Sequence, residues 1–163
     1  MVEDNDQINF RIVLFNPEIP TNTGNIGRLC VGTNSELHLI KPIKFFLNDK
    51  YLKRAGLDYW EKVKLHVHDD WNNFIFFLDE VKNSEKKNIY LCETNNDIKY
   101  THPIYEQGDI FVFGSESKGL PMSFFSNKSY KKIYIPMSKE IRSINICNTV
   151  AIILYEGLRQ LNL

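Results

Sequence analysis

Short blocks of consecutive apolar residues punctuate this chain, with stretches of helical periodicity between them. Ile12-Val-Leu-Phe15, closed off by Pro17 and Pro20, predicts a buried strand over Asn9 to Phe15. Leu37 to Ile40 forms a second, halted before Pro42. Ile89 to Cys92, Ile110 to Phe113 and Lys132 to Ile135 follow, the last ended by Pro136. Among the helical stretches, Thr21-Asn-Thr23 is placed to cap a helix that runs on through Ile26, Leu29 and Cys30. Trp71 to Val81 sets Phe74, Phe77, Leu78 and Val81 on one helical face, and Ser143 can cap a long last helix, roughly Asn145 to Leu161. Strands alternating with helices imply an α/β fold with a mainly parallel sheet flanked by helices. The strand blocks are continuously apolar rather than alternating, so both faces of the sheet should be covered.

The last helix is apolar on more sides than one core contact needs. Ile146, Val150, Ile153, Leu154 and Leu158 make one stripe, and Ala151, Ile152 and Tyr155 widen it. A helix of this kind is either central to the core or part of a subunit interface. The second reading predicts a homodimer through the C-terminal helix, with Tyr155 at or near the interface.

Composition narrows the class. A length of 163 residues fits a single domain over 1–163, and a 43% hydrophobic content suffices for a packed core. No apolar run is long enough to span a bilayer. The acidic, polar start, Met1 to Gln7, has neither the basic nor the apolar region of a signal peptide and reads as a frayed tail. Cys30, Cys92 and Cys147 are odd in number and scattered, which points to reduced thiols and a cytoplasmic location. Net charge is zero, against bulk nucleic-acid binding, but the charge is unevenly placed. Residues 41–64 hold seven basic side chains (Lys41, Lys44, Lys50, Lys53, Arg54, Lys62, Lys64) against Asp49, Asp58 and Glu61, a local +4. Lys128, Lys131, Lys132, Lys139 and Arg142 form a second group. Either is a solvated surface or a nucleic-acid footprint.

Three loops, each after a strand, carry candidate chemistry. In Asn22-Thr-Gly-Asn-Ile-Gly-Arg28 the glycines allow a tight turn and the helix start favours an anion. Phe113-Gly-Ser-Glu-Ser-Lys-Gly-Leu-Pro121 offers a backbone cradle at a strand end, though its spacing matches neither the dinucleotide fingerprint nor the Walker loop. Ile135-Pro-Met-Ser-Lys-Glu-Ile-Arg-Ser-Ile-Asn145 joins the last strand to the last helix. His66-x-His68 could pair on a metal, but no third ligand lies near and no metal site is expected; His38 reads as structural. Trp60 and Trp71 read as packing residues.

Taken in order, N-T-G-N-I-G-R, F-G-S-E-S-K-G-L-P and I-P-M-x5-S-I-N resemble the three motifs of the SPOUT RNA 2′-O-methyltransferases. Within them the chain looks like the minimal tRNA (cytidine/uridine-34-2′-O)-methyltransferases of the TrmL/YibK type. Pro17-Glu-Ile-Pro-Thr-Asn-Thr-Gly-Asn25, Lys53-Arg-Ala-Gly-Leu-Asp-Tyr59 and Tyr155-Glu156 extend the match over roughly residues 8–161. The resemblance implies an α/β fold with a C-terminal trefoil knot, S-adenosylmethionine (SAM) as cofactor, S-adenosylhomocysteine as product, no metal, and tRNA, most of all leucine tRNAs, as partner. It assigns the cofactor to Cys92, Glu93, Thr94, Gly114, Glu116, Gly119, Ile135, Met137, Ser143 and Ile144, with contacts to adenine largely from the backbone. It assigns catalysis to Arg28, Asn22, Glu116 and Asn145. An arginine is always protonated, so Arg28 reads as gripping a phosphate and orienting the ribose hydroxyl rather than as a literal base. Arg28, Arg54 and Tyr59 are the expected RNA contacts, Tyr59 by stacking. Two positions depart from the pattern: Cys147 where relatives commonly have Ser, and Ile144 where they often have Met or Leu. Two other readings stand beside this one: the same chemistry at another tRNA or rRNA position, and a catalytically silent RNA-binding or assembly protein.

Overall fold

The computed structural model describes residues 7–48, 50–81, 87–94 and 97–163; the first six residues of the expected tail lie outside it. Seven parallel strands form one sheet: β1 (Arg11–Phe15), β2 (Glu36–Ile40), β3 (Leu65–His68), β4 (Ile89–Cys92), β5 (Ile98–Lys99), β6 (Ile110–Phe113) and β7 (Lys131–Tyr134). Their order across the sheet is β3-β2-β1-β6-β4-β7-β5. Parallel neighbours need crossovers, which are supplied by α1 (Pro20–Gly32), α2 (Lys50–Gly56) with a 3-10 segment (Leu57–Lys62), α3 (Trp71–Glu80), the short α4 (Met122–Phe125) and α5 (Ile146–Gln160).

The apolar blocks are buried on both faces, as expected of a parallel sheet. On one side Ile12, Leu14, Leu37, Leu39 and Phe111 pack against Ile26 and Cys30 of α1 and Val150, Ile153, Leu154 and Leu158 of α5. On the other, Val13, Ile40, Leu91, Ile110 and Val112 pack against Phe74 of α3 and Phe124 of α4. Each fully buried aliphatic or aromatic side chain contributes roughly 1.5–3 kcal/mol relative to exposure, so this two-sided core is the main stabilising element.

Two caps differ from expectation. Helix α1 starts at Pro20, whose fixed φ suits a first helical position; Thr21, Asn22 and Thr23 lie inside the helix, and the cap residue Ile19 makes no side-chain cap bond. Helix α5 is capped by Asn145, which accepts from Cys147 N at 2.8 Å, and not by Ser143. Both residue types can cap, so the sequence alone leaves the choice open.

The expectation that no third ligand lies near His66 and His68 is also overturned. The parallel register sets His38 beside His66. His38 is fully buried, with Nδ1 3.0 Å from His68 Nε2 and Nε2 3.2 Å from Glu36 Oε2, and Arg11 Nε donates to that same oxygen at 3.0 Å. Glu36, His38 and His66 thus bring three potential ligand atoms within 4.8 Å of one another. The His38 and His66 rings, however, are stacked, 13° from parallel. Ring lone pairs lie in the ring plane, so these run side by side instead of converging on a common point. A neutral His38 that accepts from His68 and donates to Glu36 satisfies both its ring nitrogens without any ion.

Candidate active site

In an open α/β sheet, ligands sit outside the carboxyl ends of the strands, where loops from adjacent strands diverge. Here β1, β6, β4 and β7 are successive neighbours, and the loops after all four converge on one cavity of about 510 Å³. Cys92, Glu93 and Thr94 come from the end of β4, and residues 114–119 from the turn after β6. Ile135, Met137, Arg142, Ser143 and Ile144 come from the segment after β7, Asn22 from α1, and Asn145 from the start of α5. All ten residues that the resemblance assigned to the cofactor line this cavity, as do Asn22 and Asn145. Sequence reasoning missed Ile19, Phe113, Ile146 and Thr149, apolar or small wall residues with no distinguishing pattern.

The polar side chains are interlocked. Glu116 accepts from the backbone N–H of Glu18 at 2.9 Å, from that of Ile19 at 3.2 Å and from Asn22 Nδ2 at 3.2 Å. From a distant loop it thus takes the N–H of the cap residue Ile19, one of the amides the helix leaves unpaired, and its charge sits at the positive end of α1. Asn145 Nδ2 donates to Asn22 Oδ1 at 3.2 Å, so Asn22 links all three motif loops. The Cys147 thiol lies 3.4 Å from Asn22 O and 3.5 Å from its Oδ1. Sulfur thus fills a weak donor role where a hydroxyl would be stronger. Burial, with the Glu116 charge nearby, pushes this thiol up to about 11.

A second set of bonds fixes the loop after β6. Glu93 Oε1 accepts from Leu120 N at 2.7 Å, and Glu18 Oε2 accepts from Ser117 N at 2.8 Å while its other oxygen meets Lys44 Nζ. The Lys44 hydrogen bond, then those from Ser117, hold Glu18 down at about 2. Gly114 is required for a reason internal to the protein. A Cβ there would lie 2.1 Å from the carbonyl carbon of Gly119 and 2.3 Å from Leu120 N. The loop folds back onto its own first residue, so a side chain at this position would spring the cradle open.

The expected RNA-contacting residues fall elsewhere. Arg28, Arg54 and Tyr59 are exposed and line no part of this cavity. Lys41 pairs with Asp69 at 2.7 Å, Lys44 with Glu18, and Lys64 Nζ donates to Asn34 Oδ1 at 3.0 Å. The two carboxylates offset part of the basic stretch, and Asn34 only hydrogen-bonds to it. Lys53 and Arg54 are exposed and form no ion pair among the described residues. Tyr155 is 56% exposed and Ile152 37%, one helical turn apart on α5.

A parallel α/β sheet with its polar cavity at the carboxyl ends of four adjacent strands defines a small-molecule-binding α/β protein of the kind that holds a nucleotide-like ligand. Comparison with known proteins makes this specific. Residues 9–155 match the model of the SpoU rRNA Methylase family. A putative tRNA (cytidine(34)-2′-O)-methyltransferase of Listeria monocytogenes is 45% identical over 155 residues, covering 93% of this chain and 88% of the relative. A tRNA (cytidine(34)-2′-O)-methyltransferase of Methylovorus glucosotrophus is 41% identical over 152 residues, covering 93% and 95%. Among solved structures, one described as giving structural insights into the 2-OH methylation of C/U34 on tRNA superposes with a TM-score of 0.88 at 34% identity, covering 97% of this chain and 99% of that one. The chain belongs to the SpoU methylase family. Among the described residues no helix is long and apolar enough to cross a membrane.

Proposed function

We propose that this protein is a SAM-dependent ribose 2′-O-methyltransferase acting on the cytidine or uridine at position 34 of tRNA, leucine tRNAs among its substrates, in the cytoplasm. The observation that carries the reading is the single cavity into which all three motif loops bring their residues. The names of the relatives over nearly the whole chain support the position.

The cavity residues fit the cofactor. Its volume is ordinary for a small-molecule site; Ile135, Met137 and Ile144 offer apolar wall for a base, and Ser143, Arg142 and loop backbone offer polar contacts for a ribose and an amino-acid tail. When bound, SAM supplies an electrophilic methyl group, so no metal is needed. What remains for the protein is to seat a ribose hydroxyl and ease the departure of its proton. Asn22 and Asn145, held by each other and by Glu116, are the polar groups at the cavity wall suited to orient that hydroxyl. Glu116 acts chiefly through them, because both its oxygens are committed to α1.

Arg28 is the remaining catalytic candidate, and it lines no part of its own protomer's cavity. In the proposed homodimer through α5, Arg28 completes the cavity of the partner copy and grips the substrate phosphate there. Exposed Ile152 and Tyr155 support that interface. The proposal includes one domain over the whole chain and a C-terminal trefoil knot, supported by family membership and by β7 lying between β4 and β5.

Mass spectrometry of tRNA nucleosides from cells lacking this protein tests the function. Loss of a 2′-O-methyl group at position 34, restored by the purified protein with SAM, is expected. Loss at another tRNA position or in rRNA would establish the other substrate reading, and an unchanged methylation profile would leave a non-catalytic protein.

A further inference from the structure

The resemblance offers Tyr59 as a base-stacking residue, but the structure gives its ring another neighbour. The Arg28 guanidinium carbon lies 5.5 Å from the Tyr59 ring centroid, within cation–π range, and Lys62 Nζ lies 5.9 Å from the same centroid. The placement is built in from below. A Cβ on Gly27 would come within 2.8 Å of Trp60 Cζ3 and 3.2 Å of Val63 Cγ2. Only a glycine lets α1 accept the Trp60 ring so closely. That contact sets the register of the 3-10 segment against α1, and Tyr59, one residue before Trp60, then falls beside Arg28, one residue after Gly27.

Arg28 needs such help. It is exposed, and no ion pair or hydrogen bond to it is made by the described residues. A free arginine samples many rotamers, and ordering it on arrival of the substrate costs entropy that a preset side chain avoids. A ring face restrains the guanidinium plane while leaving its N–H groups open to a phosphate or hydroxyl, which a carboxylate partner would not.

We propose that Tyr59 is a positioning residue for Arg28, its ring holding the guanidinium ready for substrate, and not primarily a platform for an RNA base. The proposal rests on the reading of Arg28 as catalytic.

The test is single-turnover methyl transfer to unmethylated tRNA at saturating SAM, with tRNA affinity measured separately, on the full-length protein. Variants Tyr59→Phe, Tyr59→Leu, Arg28→Ala and the Arg28→Ala/Tyr59→Leu pair are compared, each checked for an unchanged melting temperature. Tyr59→Leu is expected to lower the rate about tenfold, with tRNA affinity within about twofold of the parent, since misorienting one group slows chemistry without removing binding. Tyr59→Phe keeps the ring face and should restore nearly all of the rate. In the Arg28→Ala background, itself slowed by about a hundredfold, Tyr59→Leu should have no further effect. A Tyr59→Leu variant of normal rate overturns the proposal. So does one that weakens tRNA binding equally with and without Arg28, because that is the signature of base stacking. An Arg28→Ala variant that still transfers methyl groups at the parent rate would instead remove the catalytic reading of Arg28, a distinct outcome seen in that variant alone.

Discussion

Glu116 shows how one side chain can serve a site through the neighbours it holds. Its carboxylate closes the N-terminus of α1 and anchors Asn22, which in turn carries Asn145. Replacing it with alanine removes the cap and leaves the Asn22 amide short of a partner. The expected loss is about 1–2 kcal/mol of stability, the usual range for a lost helix cap, together with weakened SAM binding. Denaturant melts and calorimetry read the two effects, and Glu116→Gln, which keeps one acceptor oxygen, should be milder in both. A variant of parental stability would show that α1 does not depend on this cap. The sequence offers Glu116 as a candidate through its place in the second of the three motif loops. Its role as a cap was hidden, since its partners lie at Glu18 to Asn22, far upstream and joined only by the fold. Gly114 has a similar history: the glycine was legible, but the closeness of Gly119 and Leu120 was not.

At the scale of elements, β1, β4 and β6 were legible through a continuous apolar block. β2, interrupted by His38, and β7, begun by two lysines, were legible through shorter apolar stretches that run up to Pro42 and Pro136. β3 escaped because Leu65-His-Val-His68 carries two histidines, which become tolerable only beside Glu36 and His38 on β2. β5 and α4, at two and four residues, are too short to express a period. The β2–β3 pairing has a measurable consequence. Burial, only partly offset by the hydrogen bond to Glu36, lowers His38 from 6.5 to about 4. Burial also opposes ionisation of Glu36, but the hydrogen bond from His38 and the charge of Arg11 prevail and hold it well below the usual carboxylate range. Between pH 6.5 and about 4 the unfolded chain therefore binds a proton at His38 that the folded chain does not. Stability falls as pH drops through that window, by up to about 3 kcal/mol from this histidine. Below the ordinary carboxylate value, protonation of Glu36 in the unfolded chain adds loss in the same direction. His38→Phe should flatten the upper part of the curve in urea melts at stepped pH; an unchanged slope would show that His38 does not titrate as described.

For the molecule as a whole, the exposed Ile152 and Tyr155 are the place to test the proposed association of two copies. A charge placed among them, Ile152→Glu, should yield a folded monomer in light scattering, with SAM binding retained and methyl transfer lost, because Arg28 would no longer reach a second cavity. A monomeric variant with full activity would show that each chain works alone. The path of the chain through the sheet also carries a kinetic meaning. Arg11 lies beside Ile110, and the cavity draws its walls from Ile19 through to Thr149. Most of those walls lie between Cys92 and Thr149, but Ile19 and Asn22 come from the far end of the chain, and contacts so distant in sequence close slowly. A ligand that needs both groups of walls therefore gains its full contacts only in the completed fold. It lengthens the lifetime of the native state by slowing escape from it, and leaves the speed of arrival as the bare chain dictates.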